Sequence, residues 1–268
     1  MSLHSNVLER NNVKITGHGK TTLMLAHGFG CDQNMWRFML PKLESKYTVV
    51  LFDYVGCGQS DTSAYEKQRY QSLDGYAQDV IEICEELKLQ NIVFIGHSVS
   101  SIIGMLAARQ SPKIFSKIVM VCPSPCFLNF PPDYLGGFER DDLEELINLM
   151  DKNYIGWANY LAPLVMGQNN TTELIKELEE SFCSTDPNYA KPFAKVTFFS
   201  DYRAALSKLQ LPTIIIQSSN DNLASVEVGK FMHEKIPNSV LKVVDSNGHC
   251  LHMTDPNTLF KIIEQFLG

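Results

Sequence analysis

The sequence predicts an α/β domain built on a mostly parallel, eight-stranded sheet with a helical insertion, and three observations predict it. Short β-branched and aromatic runs alternate with segments of helical period along most of the chain, the pattern of a parallel sheet covered by helices on both faces. One of these runs, Asn91-Ile-Val-Phe-Ile-Gly96, passes through His97 and Ser98 directly into helix-forming residues, so that a strand turns sharply into a helix with Ser98 at the corner. Between Pro123 and Phe199 the alternation stops, and helical runs follow one another without strands.

Each element can be justified in order. The residues from Val7 to Thr16 read as two short extended runs around an Asn11-Asn12 turn, an antiparallel hairpin that starts the sheet. Thr22 to Ala26 is a buried strand that runs into His27-Gly28-Phe29-Gly30, where glycines allow backbone N–H groups to face a ligand, although an ordinary glycine turn would look the same. Met35 to Leu43 is helical up to Pro41, and Tyr47 to Phe52 is the next strand. Gly56 and Gly58 then make a tight turn rather than a phosphate loop, since no G-x-x-x-x-G-K follows. Leu73 to Leu89 places Tyr76, Val80, Ile83, Cys84 and Leu87 on one face of an amphipathic helix whose acids form a solvated face.

Past Ser98, Lys117 to Cys122 is a further buried strand. Four helical runs follow, at Asp141 to Tyr154, Trp157 to Val165, Thr172 to Phe182 and about Pro187 to Phe199. Roughly 70 residues of helix within a βα alternation are best explained as an inserted cap over residues 124–199, with residues 1–123 and 200–268 forming the core. Alternation resumes with a strand at Leu211 to Gln217, a helix at Val226 to Ile236, a last strand at Val240 to Val244 and a closing helix at Asn257 to Leu267.

Composition narrows the function classes. With 44% apolar residues in 268, the chain can bury a full core in one large domain with an insert. Its 23 basic and 30 acidic residues leave a net charge of −7, and basic runs never exceed two residues, so nucleic acid and anionic membranes are poor partners. The first residues lack the cationic start and apolar core of a signal peptide, and no run reaches the roughly 18 apolar residues of a membrane span; a cytoplasmic location is expected. Seven cysteines, odd in number and without C-x-x-C spacing, suggest neither a disulfide framework nor a zinc site, and no dinucleotide or metal pattern implies a cofactor.

The corner at Ser98 carries the chemistry. Small residues two before and two after it, Gly96 and Ser100, let strand and helix cross closely enough to hold the Ser98 hydroxyl in a strained turn above the sheet edge, although serine would also serve as a plain helix cap. Ser100 stands where the usual G-x-S-x-G pattern has its second glycine. A serine hydroxyl needs a base, and the base needs a group that fixes its tautomer. Ser98, Asp221 and His249 supply these in that order, each in a loop after an expected strand, where the ends of parallel strands bring loops together. Asp245 competes for the acid's place from the loop that holds His249, and His27, His97 and His252 compete for the base's. The N–H groups of Phe29 and Val99 would then form an oxyanion hole.

Beyond these residues, the blocks His27-Gly-Phe-Gly-Cys-Asp-Gln33, Leu51-Phe-Asp-Tyr-Val-Gly56, Arg69-Tyr-Gln-Ser-Leu-Asp-Gly-Tyr76, Gly96-His-Ser-Val99, Ser124-Pro125, Gly136-Gly-Phe138, Asn153-Tyr154 with Trp157, and Phe182-Cys-Ser-Thr-Asp186 span nearly the whole chain. In them the sequence resembles the α/β hydrolases, and more narrowly the bacterial stress-regulator hydrolases of the RsbQ type and their plant relatives, the karrikin and strigolactone receptors. Ser100 matches the Gly-His-Ser-Val-Ser form of the plant receptors and departs from the bacterial glycine. The resemblance implies the α/β-hydrolase fold, a four-helix cap over a small apolar pocket lined by Phe29, Phe127, Trp157, Leu161 and Phe198, a small hydrophobic substrate or ligand, and a working Ser-His-Asp triad. It also implies a sensor that acts with a stress-response phosphatase on a general-stress sigma factor. A plain metabolic carboxylesterase is the alternative.

Overall fold

In the computed structural model, which describes residues 6–167 and 169–268, seven strands form one sheet. They are β1 (Lys14–Thr16), β2 (Thr22–Ala26), β3 (Thr48–Leu51), β4 (Ile92–His97), β5 (Phe115–Val121), β6 (Thr213–Asn220) and β7 (Ser239–Asn247), in the spatial order β1-β3-β2-β4-β5-β6-β7. Within this sheet, among the described residues, only the β1–β3 pairing is antiparallel. Every residue of β4 is buried, as befits a central strand with both faces covered. Residues 1–5, on which the reading of a leaderless start partly rests, lie outside the described residues.

The helices are α1 (Val7–Arg10), α2 (Leu40–Glu44), α3 (Leu73–Glu86), α4 (Val99–Gln110), α5 (Arg140–Lys152), α6 (Tyr154–Met166), α7 (Thr172–Ser184), α8 (Pro187–Phe198), α9 (Val226–Lys235), α10 (Leu251–Thr254) and α11 (Pro256–Leu267). Helices α5 to α8 are the four runs read from the sequence, inserted between β5 and β6. The chain leaves β2 toward β3 on one side and returns to β4 on the other. The order of strands therefore reverses between β2 and β4, and the crevice beyond their carboxyl ends is where such sheets place ligands.

Two expectations are corrected. Among the described residues the sheet has seven strands and not eight, because Val7–Arg10, read as the first strand of a hairpin, is a helix. Asn6 caps it by accepting a hydrogen bond from the Leu8 N–H at 3.0 Å. The Asn11-Asn12 pair does turn the chain, but from helix to strand, with the Asn11 amide donating to the Asp53 carbonyl (2.9 Å) and the Asn12 amide to the Asp53 carboxylate (2.7 Å). Pro41, read as ending a helix, lies in the first turn of α2 instead, where its missing N–H costs nothing. The Met35 end of that run belongs to a separate 3₁₀ turn, Gln33–Trp36.

Helix α1 is held to α3 by charge. The Asp79 carboxylate, with no exposed side-chain surface, accepts hydrogen bonds from Arg10 (3.2 Å), Arg69 (2.5 Å) and the Tyr70 hydroxyl (3.0 Å), and both arginines also reach Glu82 at 2.8 Å. Burial pushes the Asp79 carboxyl up, against the pull of Arg10 and Arg69. Removing one partner of a buried charge cluster leaves the others uncompensated. Asp79→Asn should therefore destabilise the fold by about 3 kcal/mol in urea unfolding, the low end for such losses because both arginines keep Glu82.

Candidate active site

Ser98 sits between β4 and α4 with φ 55° and ψ −124°, a strained left-handed turn for a non-glycine residue. Its backbone N–H donates to the Val121 carbonyl of β5 at 2.8 Å, and the turn closes so tightly that a Cβ on Gly96 would lie 2.5 Å from the Ser100 backbone. Only glycine fits at position 96. At position 100 a side chain is accommodated and used. The Ser100 hydroxyl donates to the His27 carbonyl, and its oxygen lies 3.0 Å from the Tyr54 hydroxyl. This buried chain links the ends of β2 and β3 to the first turn of α4.

The three residues singled out in the sequence converge above the carboxyl edge of the sheet. Ser98 Oγ lies 2.7 Å from His249 Nε2, and His249 Nδ1 lies 2.7 Å from Asp221 Oδ2. The second carboxylate oxygen of Asp221 accepts from the backbone N–H groups of Leu223 (2.8 Å) and Ala224 (3.1 Å), which fixes its plane. Asp245 is apart from this array. It belongs to β7, is exposed, and its nearest polar partner is the Ser219 hydroxyl at 3.3 Å. Val99 opens α4, so its N–H has no intrahelical acceptor, and the Phe29 N–H finds no backbone acceptor among the described residues.

His27, His97 and His252, the other candidates for the base, frame the site without entering the array. His27 lies with Nδ1 2.8 Å from the Gly28 carbonyl and accepts the Tyr54 N–H on Nε2 (3.2 Å), which defines a neutral tautomer that holds the loop of Phe29. His97 Nε2 lies 2.9 Å from the His249 carbonyl, and a Cβ on Gly28 would meet the His97 ring at 2.4 Å. This ring thus fixes both the base's backbone and the Phe29 loop. His252 packs between the rings of Trp36 (4.7 Å) and His97 (4.4 Å), tilted against both.

Phe29, Phe127, Leu161 and Phe198 line the cavity over Ser98 together with Val165, Leu178, Phe182, Thr197 and Leu223. Trp157 stands behind this wall, 6.0 Å from the Phe29 ring and 5.2 Å from that of Phe182. Sequence reasoning passed over Leu223, Thr197 and Cys122. Leu223 follows Asp221 closely enough to have been suspected, whereas nothing in the sequence marks the other two. The Cys122 sulfur, the Asp221 carboxylate and a His249 nitrogen lie within 4.8 Å of one another, and burial pushes the Cys122 thiol well up, which keeps it protonated.

Helix α6 is tied to the loops of both the acid and the base. The His249 N–H donates to the Val165 carbonyl (2.7 Å), and the Asn222 amide donates to that of Leu164 (3.1 Å). The Asn170 amide bridges Met166 (2.6 Å) and Asn247 (2.9 Å).

Burial drives the His252 pKa down to about 3 and lowers that of His97 well below the usual range, so both rings fold uncharged. In the unfolded chain they bind protons below about pH 6.5. The stability His252 contributes is therefore complete above that pH and is lost as pH falls from 6.5 toward 3, at about 1.4 kcal/mol per pH unit, and His97 adds a loss in the same direction. Urea midpoints should drop between pH 7 and pH 4.5. His252→Phe, which keeps a ring against Trp36, should make that slope shallower.

Comparisons with known proteins agree with this architecture. The karrikin insensitive 2 receptor CA of Petunia hybrida is 38% identical over 258 residues, covering 96% of this chain and 95% of its own. Strigolactone esterase D14 of Arabidopsis thaliana is 33% identical over 268 residues, 100% of this chain and 99% of its own. The solved structure of a hydrolase from Oleispira antarctica superposes with a TM-score of 0.97 at 61% identity, covering 98% of this chain and 96% of that one. The family model described as the alpha/beta hydrolase fold matches residues 21–256, and the chain belongs to that family.

Proposed function

We propose that the protein hydrolyses a small apolar carboxylic ester or lactone through an acyl-enzyme on Ser98. The observation that carries this is the unbroken chain of 2.7 Å contacts from Ser98 Oγ through the His249 ring to Asp221, at the floor of an apolar cavity. His249 Nε2 takes the Ser98 proton as Oγ attacks the carbonyl carbon. Asp221 holds the Nδ1–H tautomer and stabilises the imidazolium that forms. The negative oxygen of the tetrahedral adduct is received by the Phe29 and Val99 N–H groups. The leaving alcohol departs with the proton from His249, and water, activated by the same ring, releases the acid. In this reading residues 124–199 act as the cap that encloses the apolar cavity over Ser98, over a core of residues 1–123 and 200–268.

Fluorophosphonate should label wild type but not Ser98→Ala, and that variant should lose about six orders of magnitude in turnover of an activated ester. Asp221→Asn should lose about four orders. Asp245→Asn, whose carboxylate lies outside the array, should stay within a fewfold of wild type; a larger loss there than at Asp221 would overturn the assignment.

A second reading is favoured by full-length likeness to proteins named as receptors. Here hydrolysis serves signalling, and a cytoplasmic partner reads the cap; that this partner is a stress-response phosphatase acting on a sigma factor, as in RsbQ-type regulators, rests on the sequence resemblance alone. Among the described residues no helix is long and apolar enough to cross a membrane. A pull-down with the candidate phosphatase should capture it with wild type and ligand, and less with Ser98→Ala; equal activation by both would separate signalling from hydrolysis.

A further inference from the structure

The cavity over Ser98 has a volume of about 20 Å³, room for roughly one water. Its lining is apolar except for Ser98 and His249, the thiols of Cys31 and Cys250, His97 and Thr197. These polar residues differ in whether their hydrogen-bonding capacity is already spent. Ser98 and His249 are paired with each other. Burial pushes the Cys31 thiol up to about 12 and the Cys250 thiol well up, so both stay protonated and weak as donors. His97 Nδ1 has no partner, but the Gly28 backbone covers it, since a Cβ added there would lie 2.4 Å away. The Thr197 hydroxyl is buried and has no hydrogen-bond partner among the described residues. A threonine within a helix often donates to the carbonyl four residues back, which in α8 is that of Phe193, and this bond is not formed. Valine has the same shape and would complete the wall without leaving a polar group unpaired.

We infer that Thr197 is a specificity-determining residue of the proposed hydrolase, its hydroxyl pairing with a substrate oxygen other than the two of the scissile ester. This rests on the hydrolase reading above and adds the substrate class. The scissile group's own oxygens are already provided for, the carbonyl oxygen by the Phe29 and Val99 N–H groups and the leaving oxygen by the proton on His249. A plain alkyl chain in the cavity would leave the Thr197 hydroxyl desolvated and unpaired, whereas an ether, carbonyl or hydroxyl oxygen in that chain would satisfy it. Apolar neighbours such as Phe127 and Phe198 can yield to an incoming ester by changing rotamer. Thr197 is β-branched and carried on a helix, so its hydroxyl has few positions to take. The preferred substrate is therefore a small ester or lactone with a further oxygen beyond the scissile group.

The test uses two pairs of esters in which an ether oxygen replaces one methylene. p-Nitrophenyl methoxyacetate against p-nitrophenyl butyrate varies the acyl side, and 2-methoxyethyl acetate against butyl acetate varies the alcohol side, with acid release followed at constant pH. Within a pair the intrinsic reactivities are the same for every variant, so a change in the ratio of kcat/KM between enzymes reports the contact. Thr197→Val should lower the ratio of ether to alkyl ester about fivefold in at least one pair, the worth of a neutral hydrogen bond. Thr197→Ser, which keeps the hydroxyl, should hold the wild-type ratio. Phe127→Leu, a change in an apolar part of the wall, should move both members of a pair together. Without substrate, Thr197→Val should raise the urea midpoint, because it removes an unpaired buried hydroxyl. The assignment is overturned if neither ratio changes in Thr197→Val, or if Phe127→Leu shifts a ratio as much. It is equally overturned if Thr197→Val lowers the midpoint or fails to fold, since the hydroxyl would then be satisfied within the protein. If wild type turns over none of the esters and resists fluorophosphonate, the hydrolase reading itself falls and the contact with it. Labelling and turnover with unchanged ratios would remove the contact alone.

Discussion

The rest of the site depends on the left-handed backbone of Ser98. A residue held at φ 55° and ψ −124° costs about 1–3 kcal/mol and persists only where the surroundings over-determine it. Here they do so from three directions. Val121 takes the Ser98 N–H, the bare Cα of Gly96 allows α4 to close on β4, and the Ser101 hydroxyl donates back to the Gly96 carbonyl at 2.8 Å. Ser100 adds a tie that a glycine could not, through His27 to the loop of Phe29. The turn that lifts the hydroxyl is thus mechanically joined to the loop that would receive the oxyanion.

Burial divides the histidines by role. His27, His97 and His252 are packed where charge is penalised, so they act as neutral, shaped spacers; His27 and His97 have defined hydrogen bonds, whereas neither ring nitrogen of His252 has a partner among the described residues. His249, alone among the described histidines, bridges a carboxylate and a hydroxyl. The result is a base whose ring is clamped at both nitrogens and whose carbonyl is held by His97 at 2.9 Å, leaving it little freedom to swing away from Ser98.

What the sequence revealed follows from which interactions are local. Strands with both faces buried and helices of regular period announce themselves, and parallel topology then places Ser98, Asp221 and His249 at one edge. Four residues of helix at Val7–Arg10 carry no period, and an Asn-Asn pair suits either kind of turn, so the hairpin expectation failed there. The Tyr54–Ser100–His27 chain joins residues 46 and 73 positions apart and leaves no sequence signal. Whether a large aromatic faces a cavity or backs its wall, as Trp157 does, is decided by packing of side chains from different helices. The near closure of the cavity has the same origin.

The carbonyls of Leu164, Val165 and Met166 at the end of α6 bear on one further matter. They hold Asn222, His249 and, through Asn170, Asn247, while Gly248 passes so near the Met166 carbonyl that a Cβ there would lie 1.9 Å from it. The inserted helices are therefore not a detachable module. Anyone grafting the helical segment of a relative onto this core to exchange specificity would have to end the transplant before Leu164 or carry Gly248 and its neighbours along. A donor whose α6 ended half a turn differently would misplace the base without touching the triad's own residues.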